Sequence, residues 1–345
     1  MIQPNAMPSM VGGAAIFRST PIMKKTVVAL AALLGSVGAM AQSSVTVFGV
    51  IDVAARDLKG ANSVKQLVNE GRAASRLGFR GVEDIGGGLK ASFHIEAGLA
   101  PDTGSADAAF WQRRSTVSLS GDFGEVRLGR QKAATRTLID EFDVFGGNAM
   151  SGINRIIFLD RNRMDNQVAY YLPKLGDFYG NVEVTAGEGN TTTSGKSTVG
   201  RAGYKTKQLH LSAAYGQFGA LNKLKLSALG ASYDFGDFQL LSSYSQYKQG
   251  TASLKVTNLG ATVKVGSGKV LASYGRATGA SNREANLLAV GYDYSLSKRT
   301  TLYTTFGSID NKGTSTFALA GAAGASLPTA GGKSRGYEFG VRHNF

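Results

Sequence analysis

The sequence predicts an all-β chain closed into a transmembrane antiparallel barrel of about sixteen strands. Three observations lead to the barrel. Apolar and polar residues alternate with period two from residue 45 to the last residue. Short Gly- and Asp-containing turns alternate with long loops rich in Gly, Ala, Ser, Thr and Asn. Only 18% of the 345 residues are charged, below the roughly 25% of an average soluble domain.

The first segment reads as an address. Lys24-Lys25 precede the uncharged apolar run 27–34, which leads to the small-x-small pattern Ala39-Met40-Ala41. This is the tripartite form of a secretory signal peptide over 23–41. Met23 is a better start for it than Met1, so residues 1–22 read as a mis-assigned upstream extension. A membrane helix is the competing reading, but 26–41 falls short of the ~20 apolar residues that a span needs. The mature domain is then 42–345. Losing Arg18, Lys24 and Lys25 lowers the formal charge from +14 to +11. No later stretch is apolar enough for a spanning helix, so a membrane fold must be a closed barrel, which satisfies every backbone group. The chain has no cysteine, which excludes disulfides and thiolate metal or redox sites.

The strands follow in order. In 90–96, Ala91, Phe93 and Ile95 share one face, while Lys90, Ser92, His94 and Glu96 share the other. Val168, Tyr170 and Leu172 oppose Gln167, Ala169 and Tyr171. Leu209, Leu211, Ala213 and Tyr215 alternate with His210, Ser212 and Ala214. Leu287, Ala289, Gly291 and Asp293 alternate with Leu288, Val290, Tyr292 and Tyr294. Tyr337, Phe339, Val341, His343 and Phe345 alternate with Glu338, Gly340, Arg342 and Asn344. Short turns are expected at 84–88, 121–124, 174–177, 236–237, 266–268 and 297–298. Long loops are expected near 57–71, 99–108, 132–161, 188–198, 218–226, 249–255, 278–286 and 309–334. The only helical pattern falls near 132–150. A β-sandwich would share the alternation. Against it stand the wide small-polar face, aromatics gathered near strand ends, and a last strand pattern that runs to Phe345 without a tail.

Several segments resemble the Gram-negative general porins, closest to the anion-selective trimeric porins of beta-proteobacteria. Ser44-Val45-Thr46-Val47-Phe48-Gly49-Val50-Ile51-Asp52 is similar to their first strand. Ser75-Arg76-Leu77-Gly78-Phe79-Arg80-Gly81-Val82-Glu83-Asp84-Ile85-Gly86 is similar to the second strand and first turn. Gly124-Glu125-Val126-Arg127-Leu128-Gly129-Arg130-Gln131 is similar to the strand before the constriction loop. Tyr337, Phe339, Val341 and Phe345 resemble the C-terminal signal read by the barrel-insertion machinery. The likeness covers the mature chain. It implies a sixteen-stranded barrel with an inward-folded third loop that narrows the pore, a homotrimer, and an outer-membrane address among lipid and lipopolysaccharide.

The resemblance also implies a ladder of wall arginines facing acids on the inward loop. Arg76 matches through its Arg-Leu-Gly-Phe context, and parity agrees: Leu77 and Phe79 would face lipid, leaving Arg76 and Arg80 in the lumen. Arg163 matches through Arg163-Met164-Asp165-Asn166, with Val168 and Tyr170 on the opposite face. One further arginine stays open. Resemblance picks Arg113, counted back from Leu119, whereas alternation puts Arg114 inside and Arg113 outside; a bulge would reconcile them. The segment Asp140-Glu141-Phe142-Asp143-Val144-Phe145-Gly146-Gly147 resembles the acidic part of the inward loop. Asp140 matches one expected acid, but Val144 stands where another is often found. Asp143 either replaces that charge or caps the loop. The loop also holds Lys132, Arg136 and Arg155; against the family pattern, the acid lost at Val144 and these bases favour anions.

The expectation is therefore a water-filled, anion-preferring channel for small hydrophilic solutes, with small anionic solutes as partners, no cofactor, no metal and no nucleic acid. A secreted or surface β-structured adhesin and an outer-membrane barrel enzyme are the competing classes. Gly332-Lys333-Ser334-Arg335-Gly336 matches a nucleophile-elbow spacing but lacks the buried strand before it and the helix after it. Gly195-Lys196-Ser197 ends like a phosphate-binding loop, yet Asn190 stands where the first Gly is required. His94, His210 and His343 have no metal-ligand spacing. Nucleic-acid binding would need one basic patch, and here the bases are spread along the chain.

Overall fold

A computed structural model describes residues 44–147, 149–158, 161–187, 196–219, 222–322 and 326–345. The upstream extension and the signal peptide lie outside the described residues. Eighteen strands form one antiparallel sheet, and it closes on itself through β1 (Ser44–Lys59) and β18 (Lys333–Asn344). Two short strands, β2 (Ser63–Val68) and β5 (Ser105–Ala106), belong to loops, which leaves sixteen in the wall. Among the described residues no helix is long and apolar enough to cross a membrane.

The wall runs through β3 (Arg76–Gly86), β4 (Leu89–Ala100), β6 (Arg114–Gly121), β7 (Gly124–Lys132), β8 (Arg163–Tyr171) and β9 (Phe178–Thr185). It continues through β10 (Ser197–Lys205), β11 (Leu209–Phe218), β12 (Leu224–Asp234), β13 (Phe238–Gln249) and β14 (Ala252–Val265). Then come β15 (Gly268–Gly279), β16 (Arg283–Ser295), β17 (Thr300–Gly313) and β18. Each strand pairs with its sequence neighbour in the wall, as short hairpins dictate. At the seam, Val50 to Lys59 of β1 pair with Asn344 to Arg335 of β18. Gly49 and Phe345 exchange both backbone hydrogen bonds, at 3.0 and 3.1 Å.

The outward face is apolar, as lipid requires. Leu229, Leu259, Phe339 and Tyr337 keep more than half of their surface open. Aromatics gather at the short-turn rim, where Phe178 meets Tyr204, Tyr233 meets Phe235, and Phe235 stacks on Phe238. Such a girdle sits at the membrane interface. The expected short turns are present. Three of the expected long loops are not: only 219–223, 250–251 and 280–282 separate β11 to β12, β13 to β14, and β15 to β16. Gly250 (φ 58°), Ser281 (φ 59°) and Asn282 (φ 56°) allow tight turns. There the strands rise above the apolar band, so polar residues that read as loop are still laddered.

Loop three enters the barrel and covers part of its inner wall. After β7 it forms helix α1 (Ala134–Glu141), a tight turn and a single 3-10 turn (Ile153–Ile156), then meets β8. No side chain of the loop caps the helix; instead Ala134 N donates to Glu183 Oε2 of β9 at 3.1 Å. A carboxylate there also suits the positive end of the helix. Leu138, Ile139, Phe142, Met150, Ile153 and Ile156 then bury against inward apolar residues of the wall, among them Val199, Leu226, Leu254, Val256 and Leu287. The barrel therefore has an apolar core inside it, under the loop.

Room for that core comes from a row of inward glycines on β12 and β14 to β17. A Cβ at Gly230 would lie 2.1 Å from the Phe142 ring, and one at Gly275 would lie 2.5 Å from Ile153. At Gly260, Gly291 and Gly307 it would meet Val144, Phe145 and Ser151 at 2.7, 3.1 and 2.7 Å. The loop lies along this track because side chains there would occupy its place.

Candidate functional site

The inner wall not covered by loop three bounds a cavity of about 810 Å³. Nine Arg or Lys side chains and two carboxylates line it. A second cavity of about 490 Å³ lies on the loop side, and Arg113, Arg163 and Ala74 line both. Arg113 and Arg163 thus stand where the two spaces meet.

Three bases converge on one acid at this point. Glu96 of β4 accepts from Arg113 Nε at 2.6 Å and lies 3.8 Å from Arg76 Nε and 3.7 Å from His94 Nε2. Arg163 Nε donates to the Arg113 backbone carbonyl at 2.7 Å, which ties a further base to this point. Arg114 also lines the cavity and donates to Thr116 Oγ1 at 3.0 Å. Both arginines of the open choice therefore face inward, but no bulge produces this. The register of β4 with β6 runs unbroken from Lys90–Ser120 to Glu96–Arg114. Arg113 precedes the strand, where alternation no longer applies; the bulge lies instead on β7, between Gly129 and Gln131.

The other expected residues divide. Arg80 is on the same strand face as Arg76, near the turn rim, with its guanidinium 5.2 Å from the Phe48 ring, and it does not line the cavity. Glu141 lines the cavity and is paired with Arg201 of β10. Asp140 lies within the loop, accepting from Lys132 Nζ (2.6 Å), Arg136 Nε (2.8 Å) and Asn154 Nδ2 (2.9 Å). Those bases hold its carboxyl below the usual range although burial pushes the other way. Asp143 caps the loop rather than charging the channel. It is buried and accepts from the backbone N–H of Phe145, Gly147 and Ile153 at 3.0, 3.0 and 2.8 Å. Burial pushes its carboxyl up, and the three donors oppose that. Arg155 donates to the Ala149 carbonyl, inside the loop, and like Arg136 is absent from the cavity lining.

Four lining bases escape the sequence reading. Arg127 lies 4.2 Å over the Tyr171 ring and pairs with Glu125 at 2.9 Å. The parity that found Arg76 also finds Arg127, since Val126 and Leu128 are outward. Arg201 donates to Tyr179 Oη at 2.8 Å, next to His210. Arg72 gives no pattern signal, because it sits in the first loop. Asp52 accepts from the backbone N–H of Gly71, Arg72 and Ala73 and folds that segment into the lumen. Arg72 then pairs with Asp293 at 3.2 Å and lies over Phe145. Lys205 ends β10 at the turn rim.

The elbow-like Ser334 is buried and accepts from the Leu319 N–H at 3.1 Å, pinning the last loop. Ser197 bonds Thr185 across β9 and β10, while Gly195 lies outside the described residues. Among the described residues no cluster has a metal-ligand set.

A model of the Gram-negative porin family matches residues 26–314. The chain belongs to that family. It is 36% identical to outer membrane porin protein 32 of Delftia acidovorans, over 94% of this chain and all of the relative. It is 27% identical to an outer membrane porin of Bordetella pertussis, over 81% of this chain and 93% of the relative. The solved structure of the anion-selective porin from Comamonas acidovorans superposes with a TM-score of 0.81 at 32% identity, covering 88% of this chain and 100% of that one. The porin is an outer-membrane channel, and its barrel is the conduit.

Proposed function

We propose that this porin passes small anions in preference to cations. The observation that carries this is the lining: nine bases against two carboxylates, both already paired with arginines. The bland alternative is that acids behind the wall cancel the bases. Asp293, Glu125 and Asp140 do pair with lining bases, yet counting them still leaves four more bases than acids. A surplus of fixed charge in a narrow aqueous channel with low-dielectric walls concentrates the opposite ion. Arginine stays charged at any ordinary pH, so the preference is insensitive to pH. The anion-selective relative from Comamonas acidovorans supports the same reading.

Arg76, Arg113, Arg114 and Arg163 are the residues assigned to selection, because they gather at the junction of the two cavities or just beside it. Arg80 stands apart from them. The outward, exposed Tyr337, Phe339, Val341 and Phe345 are assigned to recognition by the insertion machinery. The functional unit is a homotrimer without catalytic activity, as the family resemblance implies. Zero-current potentials in a KCl gradient across a planar bilayer test the central claim. A potential of the sign set by chloride is expected; one set by potassium sinks the proposal. Heat-modifiable migration on a denaturing gel tests the trimer.

A further inference from the structure

Two arginines that line the larger cavity use their donors in opposite ways. Arg127 of β7 spends four of its five N–H groups. Its Nε and Nη2 bond the two oxygens of Glu125 at 2.9 and 3.0 Å. Its Nη1 bonds Gln131 Oε1 and Tyr171 Oη, both at 2.9 Å. One face of the guanidinium lies on the Tyr171 ring, 4.2 Å from its centre. An entering anion therefore meets a neutralised charge with almost no free edge. With the edges and one face taken, what Arg127 turns to the cavity is its other flat face. Arg114 of β6 is the reverse case. Its Nε donates to Thr116 Oγ1 at 3.0 Å, and among the described residues its Nη1 and Nη2 have no partner and it has no ion pair.

The sheet brings these two guanidiniums together. Arg127 pairs with Ser118, four residues nearer the turn than Arg114, so the two backbones are well apart. The side chains close that gap from both sides. The bond to Thr116 bends Arg114 toward the turn rim. The bond to Gln131 draws Arg127 toward the loop side, and Gln131 adjoins Arg130, whose direct partner Ser115 is next to Arg114. A free cationic edge and a flat cationic plate thus reach one level of the wall. Arg201 repeats the plate 5.1 Å over Tyr179, but its side chain is 6% exposed against 17% for Arg127, so it offers the cavity less face.

We infer that Arg114 and Arg127 form a dwell site for aromatic carboxylates of the benzoate class, with the carboxylate on Nη1 and Nη2 of Arg114 and the ring on the open face of Arg127. A guanidinium edge binds a carboxylate through two parallel N–H bonds. A guanidinium face attracts the electron-rich face of an aromatic ring, which a saturated ring lacks. Glu125, Gln131 and Tyr171 are positioning residues that hold the plate flat. The inference rests on the anion preference proposed above, because such acids enter as anions, and it names the class of solute that lingers.

The test uses the intact porin in planar bilayers, with chloride conductance titrated by benzoate, cyclohexanecarboxylate and acetate. The first two share charge and approximate size and differ in aromaticity. In wild type, benzoate should half-block at about a fivefold lower concentration than cyclohexanecarboxylate. Arg127→Lys keeps a cation beside Glu125 but removes the plate, and should make the two solutes equal. Arg114→Gln removes the carboxylate anchor and should raise the half-blocking concentration of benzoate about tenfold. Heat-modifiable migration on a denaturing gel shows that each variant barrel is folded. Equal block by benzoate and cyclohexanecarboxylate in wild type overturns the site, and so does an unchanged ratio in folded Arg127→Lys. Should Arg127→Lys not fold, the solute comparison in wild type and in Arg114→Gln still decides. Zero-current potentials in KCl on the same membranes separate the two readings. Chloride preference without aromatic preference sinks the dwell site alone, whereas potassium preference sinks both.

Discussion

Glu96→Gln separates the contribution of one charge from that of the channel's shape. Glutamine keeps an oxygen that can accept from Arg113 Nε, now 2.6 Å from the carboxylate, so the geometry should hold. What changes is one negative charge among three bases. An anion touching the Arg113 guanidinium passes about 6 Å from that charge, where the bare interaction is about 0.7 kcal/mol at the dielectric of water and about 2.8 kcal/mol at an effective value of 20. Screening over ~8 Å in 0.15 M salt roughly halves both figures. Anions gain what cations lose, so the anion-to-cation permeability ratio should rise between about threefold and eightyfold. In 1 M salt the screening length is about 3 Å, and the increase should shrink to between about one-and-a-half-fold and fourfold. Zero-current potentials at both salt concentrations provide the measurement. A ratio that stays level or falls in 0.15 M salt would mean that Glu96 does not act on the permeation path, and the reasoning from cavity charge would fail.

Removing bases should act in the other direction: Arg76→Ala and Arg163→Ala should each lower the anion preference, and unchanged selectivity in both removes them from the path. Gly230→Leu should unseat loop three, because a side chain there occupies the place of the Phe142 ring; overpacking of this kind costs about 1–3 kcal/mol, visible as a lower melting temperature together with altered single-channel conductance. The pH response of the loop follows from Asp140. Its carboxyl is held below the ordinary 3.8, so its pairing with Lys132 and Arg136 is fully formed above that pH and is lost only as pH falls through the depressed value. Removing the clamp with Asp140→Asn should therefore change conductance by the same amount at pH 7 and at about pH 4, and an effect confined to the higher pH would argue against the clamp.

Much of the wall was legible because lipid enforces a strict rule on one face of every strand. Leu77 and Phe79 fix the side on which Arg76 lies, and Val168 and Tyr170 do the same for Arg163. The rule weakens where loop three covers the wall, since Leu254, Val256, Ala285 and Leu287 are apolar yet inward. Above the apolar band it gives no signal at all, which is why the turns at 250–251 and 280–282 read as longer loops. Arg113 was accessible through resemblance rather than parity, because it precedes its strand. Arg72 was accessible through neither: Asp52, on a different element, fixes its place. The two readings of Asp143 could be separated only by its three backbone donors, a tertiary fact.

The seam between β1 and β18 has a consequence for how the barrel comes to exist. Every other wall contact joins neighbours in sequence, and such hairpins can form locally. The ladder from Val50–Asn344 to Lys59–Arg335 joins residues from opposite ends of the described chain. It brings the largest loop-closure entropy of any pairing in the wall. Until it forms, the sheet has two open edges, each a row of unpaired backbone groups that lipid cannot satisfy and that another chain could capture. Zipping that one ladder turns a sticky ribbon into an edgeless cylinder. A register slip there would turn lipid-facing side chains inward along the whole of β18, so a misfolded barrel of this sequence should betray itself first at its seam.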